Sequence, residues 1–133
     1  MLLHQSKFVE IIYEKENSLI IDKFLSSTED MKTSEFKEEM QIFVKKCEEH
    51  KPQRELVHLL DMKYAIVPEV QEWMNEEVFP KYKNIIKRMA FLMPTAVISH
   101  VAVEQTMEEE AGQGFVQKYF DNEKNAREWL MAE

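Results

Sequence analysis

The chain has 133 residues, of which 44% are hydrophobic and 32% charged, with 17 basic residues against 25 acidic ones. This length suits a single domain over residues 1–133, and this balance argues against both a disordered chain and a membrane protein. The formal net charge of −8 disfavours nucleic acid as a partner, because phosphate backbones are also negative.

The predicted elements begin with two strands and a helix. Alternating apolar residues predict a β-strand at 8–15, and a second apolar segment predicts a strand at 18–24. The link between them is short, so the two strands form an antiparallel hairpin. Apolar residues spaced by four, three, one and three positions then predict a helix at 34–50, which Pro52 follows.

A central strand and a second helix come next. Residues 55–61 form a short, nearly continuous apolar run, which is typical of a strand covered on both faces. Pro68 is well placed at the start of a helix predicted for 68–79, and Pro80 is expected to end or kink it.

The remaining elements complete an α/β pattern. Segment 95–109 has both strand and helix periodicity, and we interpret it as a helix. Further strands are predicted at 86–93 and 115–120, and a last helix, capped by Asn122, at 122–132. The order predicts an α/β fold with a mixed, mainly parallel five-stranded sheet, an N-terminal antiparallel hairpin and about four helices.

The sequence contains no recognisable motif for catalysis, a cofactor or a metal. Gly112 and Gly114 are the two glycines, and they cannot build the glycine-rich loops that cradle phosphates. Cys47 lies on the apolar stripe of its helix, which indicates a core residue rather than a nucleophile. The four histidines lack metal-ligand spacing, and His58, within an apolar strand, is interpreted as a hydrogen-bonded core side chain. We expect no enzyme activity, no cofactor and no metal site.

The expected location is the cytoplasm. A single cysteine allows no intramolecular disulfide. Residues 1–7 lack the charged-then-apolar pattern of a secretory signal, and no apolar run reaches the length of a membrane span, so we expect no integral membrane segment.

Two groups of residues are candidates for binding a ligand or a partner. Asp61 is predicted to end the central strand, where ligands gather in open α/β sheets, and Lys63 and Tyr64 follow in the same loop. The alternative is that Asp61 only hydrogen-bonds loop amides. The second group borders an apolar cavity under the helix that begins at Pro68, unless its members simply pack as core. Its members are Val70, Trp73, Met74, Phe91, Val97 and Val101.

Several short segments, taken in order, carry a family resemblance. They are Thr28 with Met31, Phe36-Lys37, Leu60-Asp61, Pro68 to Trp73, Arg88 to Phe91, Tyr119-Phe120-Asp121, Ala126 and Trp129-Leu130. In this order and spacing the chain resembles the SpoIIAA-like family, whose domains are related to STAS domains and share features with the CRAL-TRIO lipid-binding fold.

The resemblance implies helices largely on one side of the sheet, a first strand antiparallel to its neighbours, and a non-enzymatic module. In STAS anti-sigma-factor antagonists a kinase phosphorylates a serine in the loop after the third strand. The corresponding segment here, residues 61–68, contains no serine, so the phospho-switch is not carried over.

Two functions are consistent with these observations. The first is a regulatory module that binds a protein partner through the loop after Asp61 and the helix from Pro68. The alternative is a module that binds a small apolar ligand or lipid between sheet and helices, with peripheral membrane association as one form of it. A homodimer is compatible with either.

Overall fold

The computed structural model describes residues 1–82, 84–94 and 116–132. In these ranges six strands form one mixed sheet, in which spatial order follows chain order. The strands are β1 (Leu2–Gln5), β2 (Val9–Glu14), β3 (Leu19–Phe24), β4 (Arg54–His58), β5 (Arg88–Leu92) and β6 (Val116–Phe120). The first three pair antiparallel, and β3 to β6 pair in parallel. The general α/β class and the N-terminal hairpin are confirmed.

The prediction of five strands was wrong, because the described residues contain a sixth strand at the edge of the sheet. β1 pairs antiparallel with β2, with Leu2 opposite Ile12 and Gln5 opposite Glu10. It has only four residues, none of them buried, so it lacks the apolar alternation that identifies a strand in sequence. The predicted hairpin, β2 with β3, therefore forms two strands of a three-stranded antiparallel unit.

Besides two short 3-10 helices at Lys15–Asn17 and Ser26–Asp30, helices occupy three regions of the described chain. They are α1 (Thr33–His50), a second helix composed of α2 (Pro68–Trp73), a π-helical segment (Met74–Val78) and α3 (Phe79–Tyr82), and α4 (Glu123–Met131). Asn122 caps α4 as predicted, because its Oδ1 accepts a hydrogen bond of 3.1 Å from the Asn125 N–H. The helix predicted for 95–109 lies outside the described residues.

Pro80 does not end the second helix. Before it, the Phe79 N–H donates to the carbonyl of Met74, five residues back, which is the bond of a π-helical turn. Proline cannot donate to the carbonyl four residues before it, and the wider turn accommodates this missing bond. The helix consequently runs on to Tyr82, whose side chain is fully buried.

Helices cover both faces of the sheet. The second helix packs against α1 on one face, whereas α4 packs on β4, β5 and β6. Two arginines from the sheet hold the C-terminal end of α4: the Nε of Arg54 donates to the Leu130 carbonyl at 2.8 Å, and Nη1 of Arg88 donates to that of Trp129 at 2.6 Å. Within the described ranges, no helix is both long enough and apolar enough to cross a bilayer.

Candidate functional site

A cavity lies between the sheet and the helices on the α1 side. Its volume is about 50 Å³, several times the roughly 10–15 Å³ that one water molecule needs. Strands β3, β4 and β5 form its floor, and α1, the second helix and the loop after β4 surround it. Its lining consists of Asp22, Phe24, Phe36, Met40, Glu55, Val57, Leu59, Met62, Ile66, Met74, Phe79, Tyr82, Met89 and Phe91.

Two carboxyl groups lie on the floor of this cavity. Parallel pairing places Asp22 of β3 opposite Val57 of β4, and Ile20 opposite Glu55. Side chains two positions apart in a strand point to the same face, so the two acidic residues are diagonal neighbours there. Each exposes only 2% of its surface. Asp22 Oδ1 and Glu55 Oε1 have no hydrogen-bond partner among the described residues.

Burial dominates the electrostatics of this pair. Loss of solvation raises the pKa of Asp22 well above its usual range, and the charge of Glu39 raises it further. The pKa of Glu55 is raised in the same way by burial and by Asp22. Among the described lining residues none is Lys, Arg or His, so no cation offsets these effects. Both carboxyls therefore keep their protons to a higher pH than exposed acids do.

Two more titratable groups lie near the carboxyl pair. Tyr82 lines the cavity. Burial raises the pKa of its hydroxyl, and the charge of Glu55 raises it further. Cys47 of α1 is fully buried behind the lining, and burial strongly raises the pKa of its thiol. A thiol held in its neutral form is a poor nucleophile, which agrees with its interpretation as a core residue.

The loop between β4 and the second helix, residues 59–67, covers the remaining side of the cavity. The Lys63 N–H donates to Oγ1 of Thr28 at 2.8 Å. The Tyr64 hydroxyl is hydrogen-bonded to Oγ1 of Thr33 at 3.0 Å, and its ring stacks on Phe36 with centroids 4.9 Å apart. These contacts fasten this loop, called the cover below, to the segment before α1 and to α1 itself, and the Leu59 N–H also donates to the carbonyl of Leu92 in β5 at 2.8 Å.

The apolar residues of the cover face both inwards and outwards. Ile66 lines the cavity and is also 40% exposed. Leu60 and Val67 are exposed to a similar degree but do not line the cavity, whereas Met62 does. The cover thus contributes three side chains to the cavity, those of Leu59, Met62 and Ile66, and exposed apolar side chains to the surface.

The structure separates the residues of the predicted cavity group. Met74 and Phe91 line the cavity, and Val70 is buried in the adjoining core. Trp73 instead borders a different, more polar groove that includes Glu77, and the Lys37 ammonium lies 5.3 Å from the centre of its ring. Two further members, Val97 and Val101, lie outside the described residues.

The predicted loop candidates are not directed into the cavity. β4 ends at His58, three residues before Asp61, which occupies an exposed turn. Lys63 and Tyr64 fasten the loop, the first through its backbone and the second through its ring and hydroxyl. His58 is only half-buried, and in the described structure its Nδ1 has no hydrogen-bond partner, so its interpretation as a hydrogen-bonded core histidine is not supported.

Sequence reasoning missed the residues that distinguish the site. Asp22 alternates in phase with Ile20 and Phe24, and Glu55 is in phase with Val57. The available signal was an acidic residue at a strand position whose side chain points to the same buried face as its apolar neighbours two positions away. A strand that is covered on both faces has weak alternation, which hides that phase in the sequence.

A second polar cluster ties β1 to α1 without forming a catalytic relay. His4 Nε2 lies 2.9 Å from Glu39 Oε1, and the Ser6 hydroxyl donates to Glu39 Oε2. Ser6 Oγ also accepts bonds from the Phe8 and Val9 N–H groups, which shape the turn. Both side chains contact the same carboxylate instead of each other, so no serine is paired with a histidine base here. The described residues also include no group of three or more His, Cys, Asp and Glu side chains that could hold a metal ion.

The structure supports the general α/β class that the sequence predicts. The mixed sheet with an antiparallel beginning agrees with that class. Comparisons with protein-family models, with curated proteins and with solved structures each found no match, so membership of the SpoIIAA-like family stays a prediction.

Proposed function

We propose that this protein is a non-catalytic binding module that takes up a small, largely apolar molecule in the cavity above Asp22 and Glu55. The observation that supports this most is the combination of an apolar lining with two buried carboxyls, each with one oxygen that has no hydrogen-bond partner among the described residues. Ligand sites are typically apolar with a few convergent polar groups of shifted pKa.

The cavity volume restricts the size of the ligand. A cavity of about 150 Å³ holds benzene, and the one here is about 50 Å³. At about 10–15 Å³ for each water-sized group, it matches roughly three to five non-hydrogen atoms. A long fatty acid exceeds this volume, so a lipid of that size fits only if the cover moves.

Four methionines make the lining adaptable. Met40, Met62, Met74 and Met89 each contribute to it, and methionine side chains adjust readily to irregular shapes. The cover has no regular secondary structure, and loops over a binding site are typical of segments that open to admit a ligand. Residues 59–67 are therefore the proposed entry route.

A protein-binding role is the second candidate, and the exposed apolar patch on the cover favours it. Leu60, Ile66 and Val67 are grouped within eight positions of one loop, and exposed apolar groups of this kind mark interaction surfaces. Val67→Ser separates the two functions, because Val67 does not line the cavity. It should weaken capture of a partner and leave uptake of a small molecule unchanged.

Thermal unfolding with small alcohols and ketones of three or four carbons tests the proposed function. A ligand that binds only the folded state raises the unfolding temperature with concentration. Val57→Phe fills the cavity and should abolish this rise, whereas Val67→Phe makes the same change at an exposed position and should preserve it. Absence of any rise in the wild type, or an equal rise in Val57→Phe, would contradict the proposal.

A further inference from the structure

We propose that the cavity selects ligands that carry a positive charge, and that its natural ligand class is a small alkyl amine bound as the ammonium ion between Asp22 and Glu55. This inference rests on the proposed function and adds the chemistry of the ligand's polar end. It depends on the charge, the hydrogen-bonding state and the aromatic content of the lining.

The charge of the lining is one-sided. Both ionisable carboxyls are nine-tenths or more buried, each has an oxygen inside the protein without a hydrogen-bond partner in the described part of the chain, and no described lining residue is basic. An ammonium group has three N–H donors and no acceptor, so it satisfies two carboxylate oxygens at once. A carboxylate ligand brings a further negative charge to the same place and is disfavoured.

The aromatic content of the lining also favours a cation. Five aromatic rings border the cavity: Phe24, Phe36, Phe79, Tyr82 and Phe91. The faces of such rings attract ammonium groups, and cages of aromatic side chains recognise organic cations. The rings and the carboxyls together offset part of the hydration that an ammonium ion loses on entry.

Ammonium binding is coupled to proton release. The free protein holds protons on the carboxyl pair because burial raises both pKa values, and a bound ammonium favours the ionised form. The other titratable groups facing the pair are Glu39 and Cys47 on α1 and Tyr82 on α3. A carboxyl gives its proton to solvent when the ammonium enters, so the affinity for an amine should rise by up to about tenfold per pH unit.

The test compares three ligands that share one carbon skeleton: n-butylamine, n-butanol and sodium butyrate. Calorimetric titration at pH 6, 7 and 8 should show the amine binding at least tenfold more tightly than the alcohol at pH 8, and butyrate more weakly than both. Repeating the amine titration in two buffers of different ionisation enthalpy should reveal proton release, which the alcohol should not cause.

Asp22→Asn with Glu55→Gln supplies the matched variant, because it keeps the side-chain shape and removes ionisation. It should lose the preference for the amine over n-butanol. Equal binding of amine and alcohol, an amine preference that persists in the variant, or amine binding without proton release would overturn this inference while the proposed function stands. If none of the three ligands binds the wild type, the proposed function itself fails.

Discussion

Asp22 and Glu55 are the residues at which the sequence departs most from the pattern of its own core. Each occupies a position in a strand whose in-phase neighbours are apolar, and each is buried without a partner cation among the described residues. An unpaired buried acid lowers stability, and such departures from local consistency are concentrated at functional sites. Their position on the cavity floor agrees with a binding role.

The stability of the protein should fall as pH rises above about 4 because of these two residues. Their pKa values are raised in the folded state relative to about 3.9 and 4.3 in the unfolded chain. The folded state therefore binds these protons more tightly than the unfolded chain does. The resulting stabilisation is complete below the unfolded pKa values and is lost as pH rises through the folded pKa values. Each carboxyl contributes a slope of up to about 1.4 kcal/mol per pH unit.

Urea unfolding between pH 4 and 8 measures that slope. In Asp22→Asn with Glu55→Gln the fall should be much flatter, because neither amide titrates. Asp30→Asn, at an exposed position, is the matched control and should keep the wild-type slope. An identical fall in the double variant would show that other groups cause it.

Cys47 should resist thiol reagents in the folded protein. It is fully buried, and burial strongly raises the pKa of its thiol, so almost no thiolate is available. Labelling with iodoacetamide at pH 8 should proceed only through unfolding, at least a hundredfold more slowly than in urea. Comparable rates in both conditions would place the thiol at the surface.

Residue-level prediction from the sequence reached Met74 and Phe91 but not the carboxyl pair. Helical spacing suggested that Met74 faces the sheet, and Phe91 was identified from its place in the apolar strand predicted to face that helix. Trp73 satisfied the same pattern, yet it borders the outer groove. A helix face is wider than the contact it makes, so spacing alone does not distinguish residues at its centre from those at its margin.

At the level of elements, the strands and helices with strong periodicity were predictable, and local irregularities were not. β2, β3 and α1 follow their predicted bounds within two residues because apolar alternation and helical spacing are regular there. β1 is short and exposed, and the π-helical turn depends on how the chain accommodates Pro80 in three dimensions. Neither feature leaves a periodic signal.

The attachment of α4 to the sheet depends partly on an ion pair. Arg127 donates from Nη1 to Oε1 of Glu14 at 3.1 Å and from Nη2 to Oε2 at 2.9 Å, and this pairing lowers the pKa of Glu14. Both side chains are partly exposed, so solvent screening limits the interaction to about 1 kcal/mol or less. The stabilisation by this ion pair should be complete above the unfolded pKa of about 4.3 and should be lost as pH falls through the lower folded pKa of Glu14.

A double-mutant cycle with Glu14→Gln and Arg127→Met measures this contribution by urea unfolding at pH 7 and pH 3. The coupling energy should be measurable at pH 7 and smaller at pH 3 and in high salt. Glu123→Gln removes the other carboxylate that Arg127 contacts, within α4, and should cost only a few tenths of a kcal/mol. No coupling at pH 7 would mean that α4 is held by packing and the two arginine caps alone.

At the scale of the whole molecule, the two faces of the sheet differ in how they are packed. The α4 face is packed from Leu19, Ile21, Leu56, Ala90, Leu92, Ala126 and Leu130, with aromatic and arginine side chains closing its rim. The α1 face contains the cavity, the acidic pair and the cover. The α/β class followed from the order of the elements, but the location of a cavity depends on side-chain volumes across several elements, which no linear pattern records.

Methionine-methyl NMR tests the central claim, uptake of a small apolar molecule in this cavity, most directly. Four of the nine methionines line the cavity (Met40, Met62, Met74 and Met89), and Met1, Met31, Met93 and Met131 lie elsewhere in the described structure. In protein labelled at the methionine methyl groups and assigned through single Met→Leu variants, titration with n-butanol should shift the four lining signals saturably, with one common Kd. The signals of the buried Met31 and Met93 and of the exposed Met131 should not shift. Shifts that never saturate, or that are as large at Met131 as at Met74, would contradict the account.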